Sequence, residues 1–238
     1  MAKRFLIIFF SHIFTLSSYA LEKDDRLTDS FFSPSTKTSG YIALTNNYMS
    51  EGVSNTNNNP ALQAQFSYIF NKYGVYLALW GSNTDFVNRK NQRSTAEIDI
   101  NLGIRNKLNE DFIYDFYINK YNYHGAPSTN YVDLISNLTY KFFTWSVYFS
   151  PDVFGRDKIG LYNRGKIAID IAKITIIASI GYYKLPHDDF LISYSDYMVG
   201  AETHYKKLSF TLEWTDTSTA FYNPFGGNHI VGTLQYNF

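Results

Sequence analysis

A carboxylate, a histidine and hydroxyl groups lie close together near the C-terminal end of the sequence. Glu202 and His204 are two positions apart, so they share one face if this segment is a strand. Ser209 and Thr211 follow after the pair Lys206–Lys207. A serine beside a histidine that a carboxylate orients could perform acyl transfer. The same residue types are common on the wet inner wall of a membrane barrel, so we predict no catalytic residues.

Charged residues recur at alternate positions in several segments, opposite apolar residues. Charges facing lipid cost roughly 2 to 4 kcal/mol for Lys or Arg at the membrane midplane, so we expect these charges to face inward. Glu97 and Asp99 would lie about 7 Å apart on one strand face and, with Asp115, form an acidic patch that gives mild cation selectivity. The predicted pore-lining residues are Glu97, Asp99, Arg105, Asp115, Asp133, Arg164, Lys166, Glu202 and Glu213.

Cofactors and bound metals are not predicted. The chain has no cysteine, which removes disulfides, thiol nucleophiles and cysteine-based metal sites. His124 and His187 lack spaced ligand partners, and the segment Pro186–Asp189 is typical of a solvated turn.

Alternation of apolar and polar residues predicts β-strands through most of the chain. It is clearest in 96–105, where Ile98 and Ile100 fall on one face and Glu97 and Asp99 on the other. The same pattern fits Leu62–Phe70, Phe112–Ile118, Val132–Tyr140, Phe143–Phe149, Ile167–Ile171, Ile174–Ile180, Tyr197–Tyr205, Leu208–Trp214 and Ile230–Phe238, and more weakly Tyr41–Met49 and Val75–Trp80.

The connections between these segments alternate between short and long. An even number of antiparallel strands with short turns at one end and long loops at the other is typical of bacterial outer-membrane barrels. We therefore predict an all-β fold, a transmembrane antiparallel up-and-down β-barrel of about twelve strands in residues 39–238. Short turns would face the periplasm and long loops the exterior. The polar, Asn-rich loop of residues 48–52 and 54–60 could contact sugars, but we predict a solvated loop.

A soluble lipocalin-like barrel also alternates but hides its apolar face inside. The aromatic content, 21 Tyr and 20 Phe, and a last strand that ends on Tyr236 and Phe238 favour the membrane barrel. We predict that this strand closes the sheet against Tyr41–Met49 and that Tyr236 and Phe238 carry the signal for the barrel-assembly machinery. The predicted interfacial aromatics are Tyr68, Phe70, Trp80, Tyr140, Phe143, Trp145 and Trp214.

The N-terminus predicts the compartment. Lys3 and Arg4 precede an apolar stretch, and Ser18 and Ala20 are small residues at the positions that signal peptidase recognises, so we predict a signal peptide in 1–20. Residues 21–38 would be a flexible periplasmic extension and the mature chain an outer-membrane protein of a Gram-negative bacterium. With 21 basic and 21 acidic residues in the full chain, nucleic acid is not an expected partner; lipid, small solutes or ions are.

Several stretches together resemble a known family. They are Glu51–Ser54, Pro60–Gln63, Trp80–Phe86, Ala96–Asp99 and Tyr148–Gly155, in this order and spacing. The chain resembles, from about Gly40 to its C-terminus, the TorF family of proteobacterial outer-membrane proteins, which are assigned as porins. The resemblance implies an outer-membrane barrel, a pore and no catalytic residues. At position 51 the family more often carries Arg than Glu.

Two functions remain open from the sequence. The first is a narrow water-filled pore for passive diffusion of small hydrophilic solutes or ions. The second is a non-conducting barrel that acts through its extracellular loops as an adhesin or receptor. Tyr117, Tyr121, Tyr123 and Tyr131 favour the second, because inward rings would fill so small a lumen. We favour the pore, partly on the family resemblance and partly because unpaired inward carboxylates are expected to outnumber bases.

Overall fold

The chain folds into one closed antiparallel β-barrel. A computed structural model describes residues 37–70, 73–187, 191–222 and 224–238. The predicted signal peptide and residues 21–36 of the predicted extension lie outside the described residues. The strands are β1 (Lys37–Thr45), β2 (Met49–Ser50), β3 (Val53–Ser54), β4 (Ala61–Ile69), β5 (Val75–Val87), β6 (Arg93–Asn109), β7 (Phe112–His124), β8 (Tyr131–Tyr140), β9 (Phe143–Ser150), β10 (Gly160–Ile171), β11 (Ile174–Lys184), β12 (Tyr194–Tyr205), β13 (Leu208–Thr217) and β14 (His229–Asn237).

Sequential pairing closes the barrel. All strands except β2 and β3 follow one another round the wall, with β1 between β14 and β4, and β2 and β3 form a separate hairpin. At the seam Gly40 N donates to Phe238 O at 3.1 Å and Phe238 N donates to Gly40 O at 3.0 Å. The prediction that the last strand closes the sheet against the first is confirmed, so the barrel sheet formed by the described strands is closed.

The two faces of each strand differ as predicted. On β6, Ile98 and Leu102 face outward and are more than half exposed, whereas Glu97 and Asp99 on the inner face are fully buried. On β14, Leu234 and Tyr236 likewise face outward. A soluble barrel has the opposite arrangement, so the lipocalin-like alternative is excluded. The apolar outer band is stable only against an apolar surrounding such as lipid.

Several strands extend further than predicted at the end of the barrel that carries the long loops. On β7 the predicted strand ends at Ile118, but the observed strand continues to His124. Beyond Ile118 the polarity of the faces reverses, because Lys120 faces outward and is exposed while Tyr121 faces inward and is fully buried. A strand prediction that requires apolar residues on the outer face therefore ends before the strand does.

Two predictions about the first half of the chain are wrong. β1 ends at Thr45 rather than Met49, because Met49 belongs to the hairpin of β2 and β3. Trp80 is not an interfacial residue: only 4% of it is exposed, and its Nε1 donates to Tyr41 Oη at 2.9 Å inside the barrel. Alternation explains this, since Trp80 shares the inner face of β5 with Tyr76.

The outer face carries the other aromatics expected there. Tyr140, Phe143 and Trp145 are 41–52% exposed, and Trp214 is 38% exposed. Among the described residues no helix is long and apolar enough to cross a membrane.

Candidate functional site in the barrel interior

The predicted pore-lining residues all lie on the inner face of the barrel. Eight of them are at most 9% exposed and Glu213 is half-buried. Only part of the set lines the polar cavity inside the barrel. The cavity-lining residues are Arg164, Lys166, Glu202 and Glu213, and those outside its lining are Glu97, Asp99, Arg105, Asp115 and Asp133.

Tyrosine rings fill part of the interior. The rings of Tyr121 and Tyr131 stack with their centroids 4.3 Å apart, and Tyr131 makes an edge contact with Phe154 at 5.1 Å. Tyr117 and Tyr123 belong to the same buried cluster. The four tyrosines singled out as possible obstructions are therefore members of one cluster, which continues through Tyr183 to β10, β11 and β12.

The buried carboxylates outside the cavity lining accept hydrogen bonds from neutral donors. Asn119 Nδ2 donates to Asp99 at 3.0 Å, and Tyr76 Oη donates to Asp115 at 2.9 Å. Ser150 Oγ donates to Asp133. Such partners replace part of the hydration that these groups lose on burial.

The acidic pair Glu97 and Asp99 is covered by the first long loop, residues 46–60. Tyr48 from this loop donates its hydroxyl hydrogen to Glu97 Oε2 at 3.1 Å. Tyr48 also contacts the ring of Trp80, with centroids 5.5 Å apart. Both carboxylates are fully buried, so a solute in the cavity does not contact them directly.

Another part of the interior contains a polar cavity of about 190 Å³. Its walls come from one continuous arc of strands, β10 to β14 followed by β1, β4 and β5. Four carboxylates and two bases line it: Glu51, Asp196, Glu202, Glu213, Arg164 and Lys166. The cavity reaches Ser209 and Gln235 near the end of the barrel that carries the short turns.

The hairpin of β2 and β3 closes this cavity toward the long loops. Its two strands pair Met49 with Ser54 and Ser50 with Val53, and the turn residues Glu51 and Gly52 lie on the cavity wall. Gly52 has φ of +74°, and a Cβ placed there would come 2.7 Å from Thr217 Cγ2. Only glycine fits this turn at so close an approach to the opposite wall.

The hairpin is attached to a second long loop, residues 218–228. Ser54 N donates to Phe225 O at 2.8 Å, and Val53 forms a β-bridge with Gly226. Val53 is fully buried. The predicted solvated stretch is therefore wrong for its first residues, since Ser54 and Asn55 are also fully buried. Ser54 is held there because its hydroxyl donates to Asn47 Oδ1 at 2.6 Å.

Glu51 places a carboxyl group inside the barrel from a loop. Ser50 Oγ donates to its Oε2 at 3.1 Å, and Oε1 has no hydrogen-bond partner among the described residues. Burial raises the pKa of Glu51 well above its ordinary value of 4.5; the Asp196 carboxylate raises it further, and Arg164 lowers it. The docked hairpin therefore favours the neutral form of Glu51.

Glu51 and its hairpin were not among the residues predicted from charge and alternation. A signal was present, because Glu51-Gly52 is a two-residue turn with glycine in second place, flanked by Ser50 and Val53. The flanking strands have only two residues each, which is too short for alternation to be recognised.

The serine, histidine and glutamate considered for catalysis are in contact. His204 Nδ1 lies 2.9 Å from Ser209 Oγ, and His204 Nε2 lies 3.2 Å from Glu202 Oε1. Asn237 Nδ2 donates to Ser209 Oγ at 3.2 Å, and Gln235 Nε2 donates to Asn237 Oδ1 at 2.7 Å. The result is a chain of polar contacts across β12, β13 and β14 at the end with the short turns.

Among the described residues, the backbone N–H groups near Ser209 are not free to bind the oxyanion of an acyl-transfer reaction. Ser209 lies in β13 between two paired strands, opposite His204 and Gln235, so backbone N–H groups around it belong to the sheet ladder. An oxyanion needs donors that converge on it and are not already committed. Within the described ranges, no group of three or more His, Asp or Glu side chains could hold a metal ion.

Solved structures similar to this chain are membrane barrels. The KdgM porin aligns with a TM-score of 0.56 and 13% identity, over 84% of this chain and 99% of that chain. A structure from a study on the in-meso crystallization of membrane proteins aligns with a TM-score of 0.53 and 8% identity, over 84% of this chain and 83% of that one. The NanC porin gives a TM-score of 0.49 and 8% identity, over 84% and 98%. At such identities the similarity concerns the fold.

At the sequence level, no curated protein matches the chain. One family model, for a bacterial protein of unknown function named Gcw_chp, matches residues 30–234. That range includes every strand of the barrel except the last residues of β14. The chain therefore belongs to the Gcw_chp family of bacterial proteins of unknown function.

Proposed function

We propose that this protein is an outer-membrane channel for small hydrophilic solutes or ions. The observation that carries the proposal is a charged cavity inside a closed barrel whose outer face is apolar. Charged groups would not be retained on an inner wall without water or partners, because an isolated buried charge is costly. The long loops would face the exterior and the short turns the periplasm.

The hairpin of β2 and β3 makes this a channel with a closed resting state. It separates the cavity from the end with the long loops, and passage requires the hairpin to leave its place between Thr217 and Gly226. We also propose that the chain is a member of the TorF family of porins, which the description of the Gcw_chp family does not name. The proposed function includes no catalytic step.

A mild preference for cations is also part of the proposal. The cavity lining carries four carboxylates against two bases, and the surplus is small when Glu51 is neutral. Glu202 and Glu213 would contribute most, because they border the cavity. The predicted patch of Glu97 and Asp99 would act only through its distant field.

Planar-bilayer recording on purified, refolded protein tests the proposal. We expect discrete conductance steps and, under a salt gradient, a reversal potential of the sign for cations. Glu213→Gln should move this potential toward zero, whereas Glu97→Gln, a matched change outside the cavity, should leave it nearly unchanged. Anion selectivity of the unmodified protein would overturn the preference, and absence of conductance in every variant would overturn the channel.

The second candidate function is a non-conducting barrel that acts through its long loops. The tyrosine cluster favours it, because its packed rings occupy part of the lumen. Absence of current, even after removal of the hairpin of β2 and β3, would support this candidate.

A further inference from the structure

The cavity of the proposed channel carries charges of both signs on separate walls. Arg164 and Lys166 come from β10, and two positions of alternation put them about 7 Å apart on the inner face. Glu202 lies on β12 and Glu213 on β13. The charges of Arg164, Glu213 and Glu202 all act on Lys166.

Among the described residues no carboxylate oxygen lies within 4.0 Å of the side-chain nitrogens of Arg164 or Lys166. The charges of Asp196 and Glu51 act on Arg164 from beyond this distance. Arg164 is 5% exposed and Lys166 is 8% exposed, and Arg164 Nε has no hydrogen-bond partner within the described ranges. Buried cations without a close partner are expensive, so this wall is suited to a small anionic group. A guanidinium fits a carboxylate particularly well.

Among the carboxylates of the lining, Glu213 is the one that has no direct partner. Tyr162 Oη donates to Asp196 Oδ2 at 2.9 Å, Ser50 Oγ donates to Glu51, and Glu202 is 3.2 Å from His204. No hydrogen bond or ion pair engages Glu213 within the described part of the chain. Its carboxylate is half-buried and faces the cavity. It can accept hydrogen bonds from an ammonium group.

The size and the charges of the cavity together limit the solute. An ion of a single sign would meet a like charge on one wall, whereas a zwitterion presents a matching charge to each wall. The cavity, at about 190 Å³, is smaller than sites for drug-sized ligands, which have about 300 Å³ or more. A small zwitterion satisfies both limits.

We propose that the cavity binds a small zwitterion of the amino-acid class, with its carboxylate on Arg164 and Lys166 and its ammonium on Glu213. The proposal deepens the proposed channel function, since the bound solute would be the solute that passes. Binding is nevertheless measurable without transport, so the two can fail separately.

Binding is tested with the full refolded chain in detergent micelles. Trp80 lines the cavity, so a variant with Trp145→Phe and Trp214→Phe leaves it as the single tryptophan and as a fluorescent reporter. Glycine is the probe. The comparison ligands are acetate and methylammonium, which each carry one of its two charges, and glycerol, which carries none. We expect a saturable fluorescence change with glycine and a Kd about tenfold or more below that of each single-charge probe, because two charged contacts replace one.

Variants locate the contacts. Lys166→Gln and Glu213→Gln should each weaken glycine binding about tenfold, while Glu97→Gln, an inner carboxylate outside the cavity, should not. The gel migration of unboiled samples verifies that each variant is folded. If Lys166→Gln does not fold, the affinity of Glu213→Gln for glycine tests the site. This variant is expected to fold, because Glu213 is only half-buried.

The outcomes separate the two proposals. Tighter binding of acetate or methylammonium than of glycine, or no saturable binding, overturns the zwitterion site. Unchanged glycine affinity in Glu213→Gln also overturns it. Glycine binding without conductance supports the site and refutes the channel, and conductance without glycine binding refutes the site alone.

Discussion

Replacing Val53 by alanine should open the barrel, if the hairpin of β2 and β3 is its gate. Val53 is fully buried in the docked hairpin and would be in water after the hairpin leaves. The substitution removes two methyl groups, so the docked state should lose about 1.6 kcal/mol at about 0.8 kcal/mol per group. The ratio of open to closed channels should then rise roughly 15-fold, and any unfilled space would increase this ratio further.

The assay is the open probability in planar bilayers at fixed salt and voltage. Val153→Ala is the matched control, because Val153 is equally buried but lies in the loop between β9 and β10. It should reduce the thermal stability of the barrel without changing the open probability. If Val53→Ala and Val153→Ala give the same open probability as the unmodified protein, the hairpin is not the gate.

Three further predictions concern pH, assembly and topology. Docking of the hairpin raises the pKa of Glu51, so docking is fully favoured below pH 4.5 and weakens as the pH rises through the raised pKa. The open probability should therefore increase with pH. Glu51→Gln should abolish this pH dependence, and a dependence that persists in the variant would contradict the role of Glu51. Deleting Phe238 removes both backbone hydrogen bonds to Gly40 and should prevent heat-modifiable gel migration, whereas deleting Asn57 from a long loop should not. Proteolysis of intact cells should cut within 218–228 and spare Lys206–Lys207, and the opposite result would invert the topology.

The wall of the barrel could be predicted from the sequence because each strand carries its own signal. Alternation on β6 separates Ile98 and Leu102 from Glu97 and Asp99 without reference to any other strand. The lipid-facing band constrains one face of every strand to be apolar, and this constraint is independent of neighbours. The pattern weakens where the strand leaves the band, which is why the end of β7 was missed.

The interior could not be predicted in the same way, because its contacts join residues that are remote in sequence. Tyr48 from a loop meets Glu97 of β6 inside the barrel, and Asn58 meets Pro224 of another loop, with side-chain amide and carbonyl 3.0 Å apart. Alternation tells which face a residue is on but not which residue stands opposite to it. That depends on the stagger of the strands and on loops that fold inward, neither of which has a local signature.

The division of the lumen into a filled part and an open part follows from side-chain size. The inner face of β7 carries three rings, Tyr117, Tyr121 and Tyr123, whereas that of β11 carries Ser179 and Gly181 and has a ring only near its end, at Tyr183. Large rings extend to the barrel axis and meet each other, but small side chains leave the space in front of their strand empty. Gly181 also lets Tyr162 reach Asp196, so this carboxylate is held by a hydroxyl and not by direct contact with Arg164. The volume of inward residues, compared strand by strand, therefore indicates where the cavity lies, which their charges alone do not reveal.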